Sequence, residues 1–405
     1  MRLVVVVVTL LATTAARAEE APVAVTLPDV LARVSSAPAA QVMRHEGEAA
    51  EALVAAARAW PDPSLRIEAH RLPARVVAGA TIPLPVLGTM QATRRAVAAQ
   101  AAVVRAEASV TRREVRLHAV TAWVSLARAD GEVVAAATAA SQAAELERIA
   151  GGRLDAGLGA EVDVSVARAA RARAGLAAAV ARRAQQAAAA DLAGSLGWDP
   201  MRPLITAGPL PGREPILIEL LRPRLQEHAS RMAARRRVDA AEATIAQVDS
   251  QRRPGLAIEA TVSALDPTTP GTDVQVALSL ELPVFAHTGD RVRAARAAAA
   301  AERARLGVIE TELGAGLAAC YRRWQAASER VEVLENDVLP AQARAADLAA
   351  QAYREGARDL ASALQANRDL TAVRAEVIAA RADLAMAWAD LHDVAGDELG
   401  GPDAR

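Results

Sequence analysis

Lysine is absent from all 405 residues, so every basic side chain other than histidine is arginine. Cysteine occurs once, at Cys320, and only eight residues are aromatic: five Trp, two Tyr and one Phe. A lone thiol makes no intrachain disulfide, so an exported form of this chain must be stabilised by other means. The histidines at 45, 70, 118, 228, 287 and 392 stand singly, with no i, i+4 partner or cysteine pair to hold a metal. No phosphate loop, dinucleotide glycine pattern or nucleophile elbow occurs. No enzyme chemistry, cofactor or metal site is therefore expected. The net charge of −1 lacks the basic stripe of a nucleic-acid binder. Beyond the N-terminal segment, no uninterrupted apolar run is long enough for a transmembrane helix. A chain of this kind enters a membrane, if at all, with strands.

Alanine dominates what is present. Ala, Arg, Leu and Glu at this density favour long helices. Alanine faces let helices approach closely, but they give little side-chain volume for a deep core. The N-terminus carries Met1-Arg2, the apolar run LVVVVVTLLATTAA, then Ala16-Arg17-Ala18 and two glutamates. A basic start, a short apolar run and an A-x-A site describe a secretory signal peptide, residues 1–18. An anchor helix is the alternative, but the run falls short of the ~20 residues needed to span. No cysteine lies near the cleavage site, so no N-terminal lipid anchor is expected.

The chain repeats itself. Residues 49–69 (AAEALVAAARAWPDPSLRIEA) align without gaps on 240–260 (AAEATIAQVDSQRRPGLAIEA), and the shared P-x-L-x-I-E-A core is informative even in an alanine-rich chain. Downstream, Leu84-Pro85-Val86-Leu87 echoes Leu282-Pro283-Val284-Phe285, RLDAG at 153–157 echoes YREG at 353–356, and Gly197 echoes Gly396. The expected organisation is a first repeat at 19–198, a proline-rich connector at 199–215, a second repeat at 216–396 and a C-terminal tail at 397–405. Five prolines in the connector exclude a helix across it.

Each repeat reads as helix, β-hairpin, long helix, glycine turn, helix. In DVQVALSLEL (273–282), Val274, Val276, Leu278, Leu280 and Leu282 alternate with polar or small residues, the pattern of a strand with one apolar face. Strands are expected at 64–72 and 75–84, and at 255–264 and 272–282, making hairpins of about 64–84 and 255–282. From about Thr89 to Ala150 no proline interrupts a helix of roughly 90 Å. Its counterpart from about residue 288 carries a break signal at Asn336-Asp337 and Pro340. Returning helices are expected at about 160–196 and 358–395.

Strands of about ten residues suit tilted bilayer crossings. Four strands cannot close, and an open edge in lipid leaves unpaired backbone groups costing several kcal/mol each. A barrel must then be shared between copies: two give eight strands with a filled interior, three give twelve with a lumen. An antiparallel sheet packed on a soluble helical domain would show the same alternation.

The signal peptide, the duplicated unit, ELPVF followed by an Arg/Ala-rich helix (281–306) and the two glycine turns resemble the TolC-like outer-membrane factor family. The resemblance runs from Leu27 to Gly396. It implies a fold that is mainly α with a small β part, a protomer that trimerises into a 12-stranded outer-membrane β-barrel plus a long periplasmic α-helical barrel. PSLRIEA, PGLAIEA and ELPVF look most like the branch of cobalt–zinc–cadmium heavy-metal efflux. Two features depart from the pattern: only Trp60 and Phe285 could serve an aromatic girdle, and the lipidation cysteine of several relatives is missing. The resemblance implies a homotrimer in outer-membrane lipid that serves as a passive gated duct. Its partners would be a periplasmic adaptor (membrane fusion) protein and a proton-driven inner-membrane transporter exporting small molecules or metal ions. Type I protein secretion and a soluble periplasmic coiled-coil scaffold or adaptor are the alternatives.

The resemblance also implies site residues. The turns would meet the adaptor through Arg153, Leu154, Gly157, Tyr353 and Gly356, although glycine at a helix end also serves simple capping. A periplasmic gate would link Asp163 to Tyr353 and Arg358, a carboxylate between a phenol and a guanidinium. Ser362 and Gln365 stand where some relatives place a ring of aspartates, which puts an anionic ring there in doubt. Asp359 is nearby, but helical geometry turns it elsewhere.

Overall fold

A computed structural model of the chain describes residues 21–71, 74–85, 87–264, 272–283 and 288–396. The expected signal peptide 1–18, the tail 397–405, the turn at 265–271, Leu72, Pro73, Val86, Val284 and Phe285 lie outside the described residues.

The first repeat holds β1 (Val23–Val25), α1 (Leu27–Val34), α2 (Pro38–Ala56), β2 (Ser64–Arg71), β3 (Ala74–Leu84), α3 (Thr89–Asp155) and α4 (Glu161–Leu196). The connector adds β4 (Leu204–Thr206). The second repeat holds α5 (Ile218–Leu221), a 3₁₀ turn (Arg222–Glu227), α6 (Ala229–Ser250), β5 (Gly255–Ala264), β6 (Asp273–Glu281), α7 (Thr288–Val333), α8 (Leu339–Arg354) and α9 (Leu360–Ala395). The strand and helix bounds follow the sequence pattern closely. Where a break was expected, a π-helical turn at Leu334–Val338 joins α7 to α8. Pro340 explains it: without an N–H, and with its ring against the preceding turn, it cannot continue the regular ladder, and a wider turn absorbs the mismatch.

Two compact units cut across the repeats, each drawing segments from both. One contains residues 31–121, 211–334 and 383–396. Here α6 packs along α7 and ion pairs tie its elements: Arg231–Glu310 at 2.8 Å, Arg303–Glu242 at 2.6 Å and Arg237–Glu107 at 2.7 Å. Trp324 is buried and its indole Nε1 donates to the Gly212 carbonyl at 2.9 Å. Arg113 donates to both the carbonyl and the carboxylate of Asp393, pinning the end of α9.

The same unit carries one antiparallel sheet in the order β2-β3-β5-β6. β3 is strand-like throughout, although Gly79 and Pro83 blur its alternation, because it pairs on both sides. Cross-strand register places Leu65, Ala80, Ala260 and Val276 in one row, and Ile67, Ala78, Val262 and Val274 in another. These rows make one apolar face. It is exposed: Leu65 and Val276 each present 73% of their surface. The opposite face is polar or small apart from Val77 and Pro83. In this chain β2 and β6 are edge strands.

The other unit contains residues 21–30, 122–210 and 335–382. It includes a short parallel pair, β1 with β4, that the sequence pattern did not announce, since three-residue strands carry no measurable period. Side chains from α3 hold it. Trp123 donates from Nε1 to the Val25 carbonyl at 2.9 Å. Asp130 accepts from the Thr206 N–H at 2.8 Å and its hydroxyl at 2.7 Å.

Candidate functional site

The two glycine turns are built alike. Gly157 and Gly356 sit at φ of 72° and 78°, which glycine adopts without the penalty a side chain would bring. After α3, the Leu158 N–H donates to the Arg153 carbonyl at 2.8 Å and the Gly157 N–H to Leu154 at 2.9 Å. After α8, Ala357 donates to Ala352 at 2.8 Å and Gly356 to Tyr353 at 3.1 Å. This double closure satisfies carbonyls that a helix end would otherwise leave bare. Asp359 then opens α9 as its N-cap, accepting from the Ser362 N–H at 3.1 Å and from its hydroxyl. Those bonds from Ser362 hold the Asp359 carboxyl below its ordinary range.

Beneath the turns lies a small core of Leu146, Ile149 and Ala150 from α3, Ala167 from α4, Tyr353 from α8, and Leu360, Ala363 and Leu364 from α9. Tyr353 is 2% exposed, and its hydroxyl is buried with no hydrogen-bond partner among the described residues. Burial, then the negative charge of Asp163, pushes the phenol pKa up, against the opposing charge of Arg153. Arg153 joins the turns. Its Nη1 donates to the Tyr353 carbonyl at 2.9 Å, its Nη2 to the Leu158 carbonyl at 3.1 Å, and its guanidinium lies 5.2 Å from the Tyr353 ring centroid.

Arg153, Tyr353 and Gly356 therefore meet directly, with Asp163 half-buried in the first turn of α4. No hydrogen bond or ion pair joins Asp163 to Tyr353 or Arg358 among the described residues. Arg358 is exposed just before α9, and its backbone N–H donates to Ala352 at 3.2 Å. Ser362 is half-buried beside its cap, while exposed Gln365 donates to Asp369 at 2.8 Å. Leu154 and Gly157 are exposed on the turn.

Sequence reasoning missed two features. The bridging geometry of Arg153 is one. The other is Glu147 on α3, which accepts from Arg168 at 3.4 Å and Arg171 at 3.0 Å on α4. Those contacts, Arg171 foremost, hold its carboxyl below its ordinary range. The signal available was the i, i+3 spacing of the two arginines, which puts both on one helix face. Higher along α3, α4 and α9, a groove of about 490 Å³ is lined largely by alanine, with Leu364 and Asn367 at one end. It reflects the low side-chain volume of the composition.

Residues 220–397 match the sequence model of the outer membrane efflux protein family. No curated protein sequence matches the chain. Among solved structures, the outer membrane protein VceC of Vibrio cholerae is similar at a TM-score of 0.75 and 16% identity, over 92% of this chain and 96% of that one. The outer-membrane channel OprN is similar at 0.75 and 20% identity, over 92% and 90%. CusC is similar at 0.77 and 13% identity, over 92% of each chain. At these identities the shared property is the fold, helices and sheet together.

Proposed function

We propose that the chain is one protomer of a trimeric outer-membrane channel, the passive duct of a tripartite efflux system. The observation that carries this reading is the four-stranded sheet with its exposed apolar face and two edge strands. In water such a face invites aggregation, and in lipid such edges leave unpaired groups costing several kcal/mol each. Pairing β6 of one copy with β2 of the next removes both problems. Three copies give twelve strands around a lumen, with Leu65, Ile67, Val274, Val276 and Leu278 towards lipid. Similarity to OprN, described as an outer-membrane channel, and to CusC, described in connection with transmembrane channel formation, supports the reading.

In this duct the energy comes from an inner-membrane, proton-driven transporter, coupled through a periplasmic adaptor. The cargo is a small molecule or a metal ion. The paired turns receive the adaptor through Arg153, Leu154, Gly157 and Gly356, with Tyr353 contributing its backbone because its ring is buried. Asp163, Tyr353 and Arg358 form the gate, Asp163 already close enough to bias the phenol. Ser362 and Gln365 line the constriction without charge.

The test is native mass spectrometry of the protein extracted with detergent from separated outer membranes. A trimer is expected. A soluble monomer or dimer in the periplasmic fraction would overturn the channel and leave a helical scaffold with an ordinary sheet.

A further inference from the structure

The apolar face of the sheet continues to the end of the strands where the long helices begin. Its last rows there are Ile82, Ile258 and Leu278, then Leu84, Leu256 and Leu280. Beyond that end the chain changes character. The segments that enter and leave the strands there, residues 57–63, 85–97, 249–254 and 282–296, hold eight arginines against three aspartates. Two of the aspartates are matched locally, Asp249 with Arg252 at 3.4 Å and Asp290 with Arg293. Among the described residues, no carboxylate forms an ion pair with Arg58, Arg94, Arg95, Arg253, Arg291 or Arg296.

Two of these cations are held in place. Arg94 donates to the Ala57 carbonyl at 3.0 Å and to the Arg58 carbonyl at 2.6 Å, and Arg253 donates to the Leu87 carbonyl at 2.5 Å. Carbonyl partners fix a guanidinium without cancelling its charge. Arg58, Arg95, Arg291 and Arg296 are exposed. By helix rise, Arg95 stands about 9 Å along α3 from Thr89, and Arg291 about 5 Å along α7 from Thr288. A hydrocarbon core of ~30 Å within a bilayer of ~40–45 Å leaves a headgroup layer of roughly 5–8 Å on each side. Arginines just beyond an apolar band reach that layer with their long stems. Trp60, 57% exposed and two residues after Arg58, is the side-chain type that favours the same layer.

We infer that this arginine collar binds the headgroups of anionic phospholipids and gathers them around the helix-bearing end of the sheet. The inference rests on the proposed membrane channel. A guanidinium takes a phosphate through two parallel N–H donors, and clustered arginines beside a membrane-facing surface draw acidic lipid. Net charge decides between headgroups. Phosphatidylglycerol brings an uncompensated negative charge, whereas phosphatidylethanolamine carries an ammonium that the collar repels. An acidic protein surface would match the guanidiniums alone and leave Trp60 and the Leu84, Leu256 and Leu280 row in water.

The experiment is native mass spectrometry of the detergent-extracted, full-length oligomer incubated with equimolar phosphatidylglycerol and phosphatidylethanolamine. Wild type should carry phosphatidylglycerol adducts at about threefold or more over phosphatidylethanolamine. Combining Arg95→Gln with Arg291→Gln removes two exposed charges that have no hydrogen bond to lose among the described residues. That variant should keep the oligomer and lower the ratio by about twofold or more. Arg183→Gln, on α4 and bonded to Gln186, removes one charge elsewhere and should leave the ratio unchanged. Equal adducts of both lipids on the wild-type oligomer would overturn the inference while leaving the channel intact, and would give the collar to an acidic protein surface. A ratio unmoved by the double variant, or an equal fall in Arg183→Gln, would also overturn it. Recovery of the protein as a soluble monomer would remove the channel itself.

Discussion

Arg153→Ala tests whether one side chain fastens the two glycine turns together. The substitution removes the hydrogen bonds to the Tyr353 and Leu158 carbonyls and the stack on the Tyr353 ring. A hydrogen bond involving a charged group contributes about 1.5–3 kcal/mol, and an exposed cation–π contact about 0.5–1 kcal/mol. Arg153 is half in solvent, and water can take over part of what both carbonyls lose, so a net cost of about 2 kcal/mol follows. At about 1.4 kcal/mol per tenfold, local opening becomes roughly 30-fold more frequent. Amide hydrogen exchange on the detergent-extracted full chain reads this directly. Peptides holding the Leu158 and Ala357 amides, which close the two turns, should exchange roughly 30-fold faster, while those spanning β1 and β4 should not change. Arg153→Lys should fall between, since an ammonium cannot reproduce the forked geometry. Tyr353→Phe should exchange like wild type, because the hydroxyl has no partner to lose among the described residues. Unchanged exchange at both turns in Arg153→Ala would refute the fastening.

Three further outcomes follow from the same contacts. Gly157→Ala and Gly356→Ala both force a side chain to positive φ, at about 1–2 kcal/mol each; a Cβ at 356 would also sit 3.1 Å from the Arg153 guanidinium while one at 157 meets nothing within 4 Å. Thermal unfolding should therefore rank Gly356→Ala as the more damaging. Burial lowers the pKa of His392 to about 4 and also lowers that of His228. The unfolded chain then binds protons first, so stability is fully present above about pH 6.5 and is lost as pH falls towards 4. Melting temperature against pH should show that fall, and His392→Gln should flatten it. Trp123→Phe keeps the buried ring but loses the bond to the Val25 carbonyl, which still accepts from Ala207 at 3.0 Å. Equilibrium denaturation should report a loss of about 1 kcal/mol.

The glycine turns were legible because Gly157 and Gly356 each follow a helical run with a glycine, and helix termination is a local event. The edge-strand sheet was legible from the alternation of 273–282 for the same reason. Gly79 and Pro83 hid the quality of β3, whose regularity comes from partners on both sides rather than from its own pattern. β1 and β4 were invisible because they depend on Trp123 and Asp130, about a hundred residues away in sequence or on another element. At the candidate site, residue identity pointed to Arg153 and Tyr353, but not to a buried ring beneath a bridging guanidinium.

By itself, then, the amino-acid order determined what depends on neighbours a few residues apart. It set helix and strand spans, the turns, the duplication and the two-faced sheet, since backbone propensity and periodicity act at that range. Tertiary structure alone decided which charges meet. Glu147 is matched to Arg168 and Arg171, and Arg153 crosses from one turn to the other. Those outcomes depend on the phase of each helix and the register of each strand, and a single residue of slip in either would change every partner.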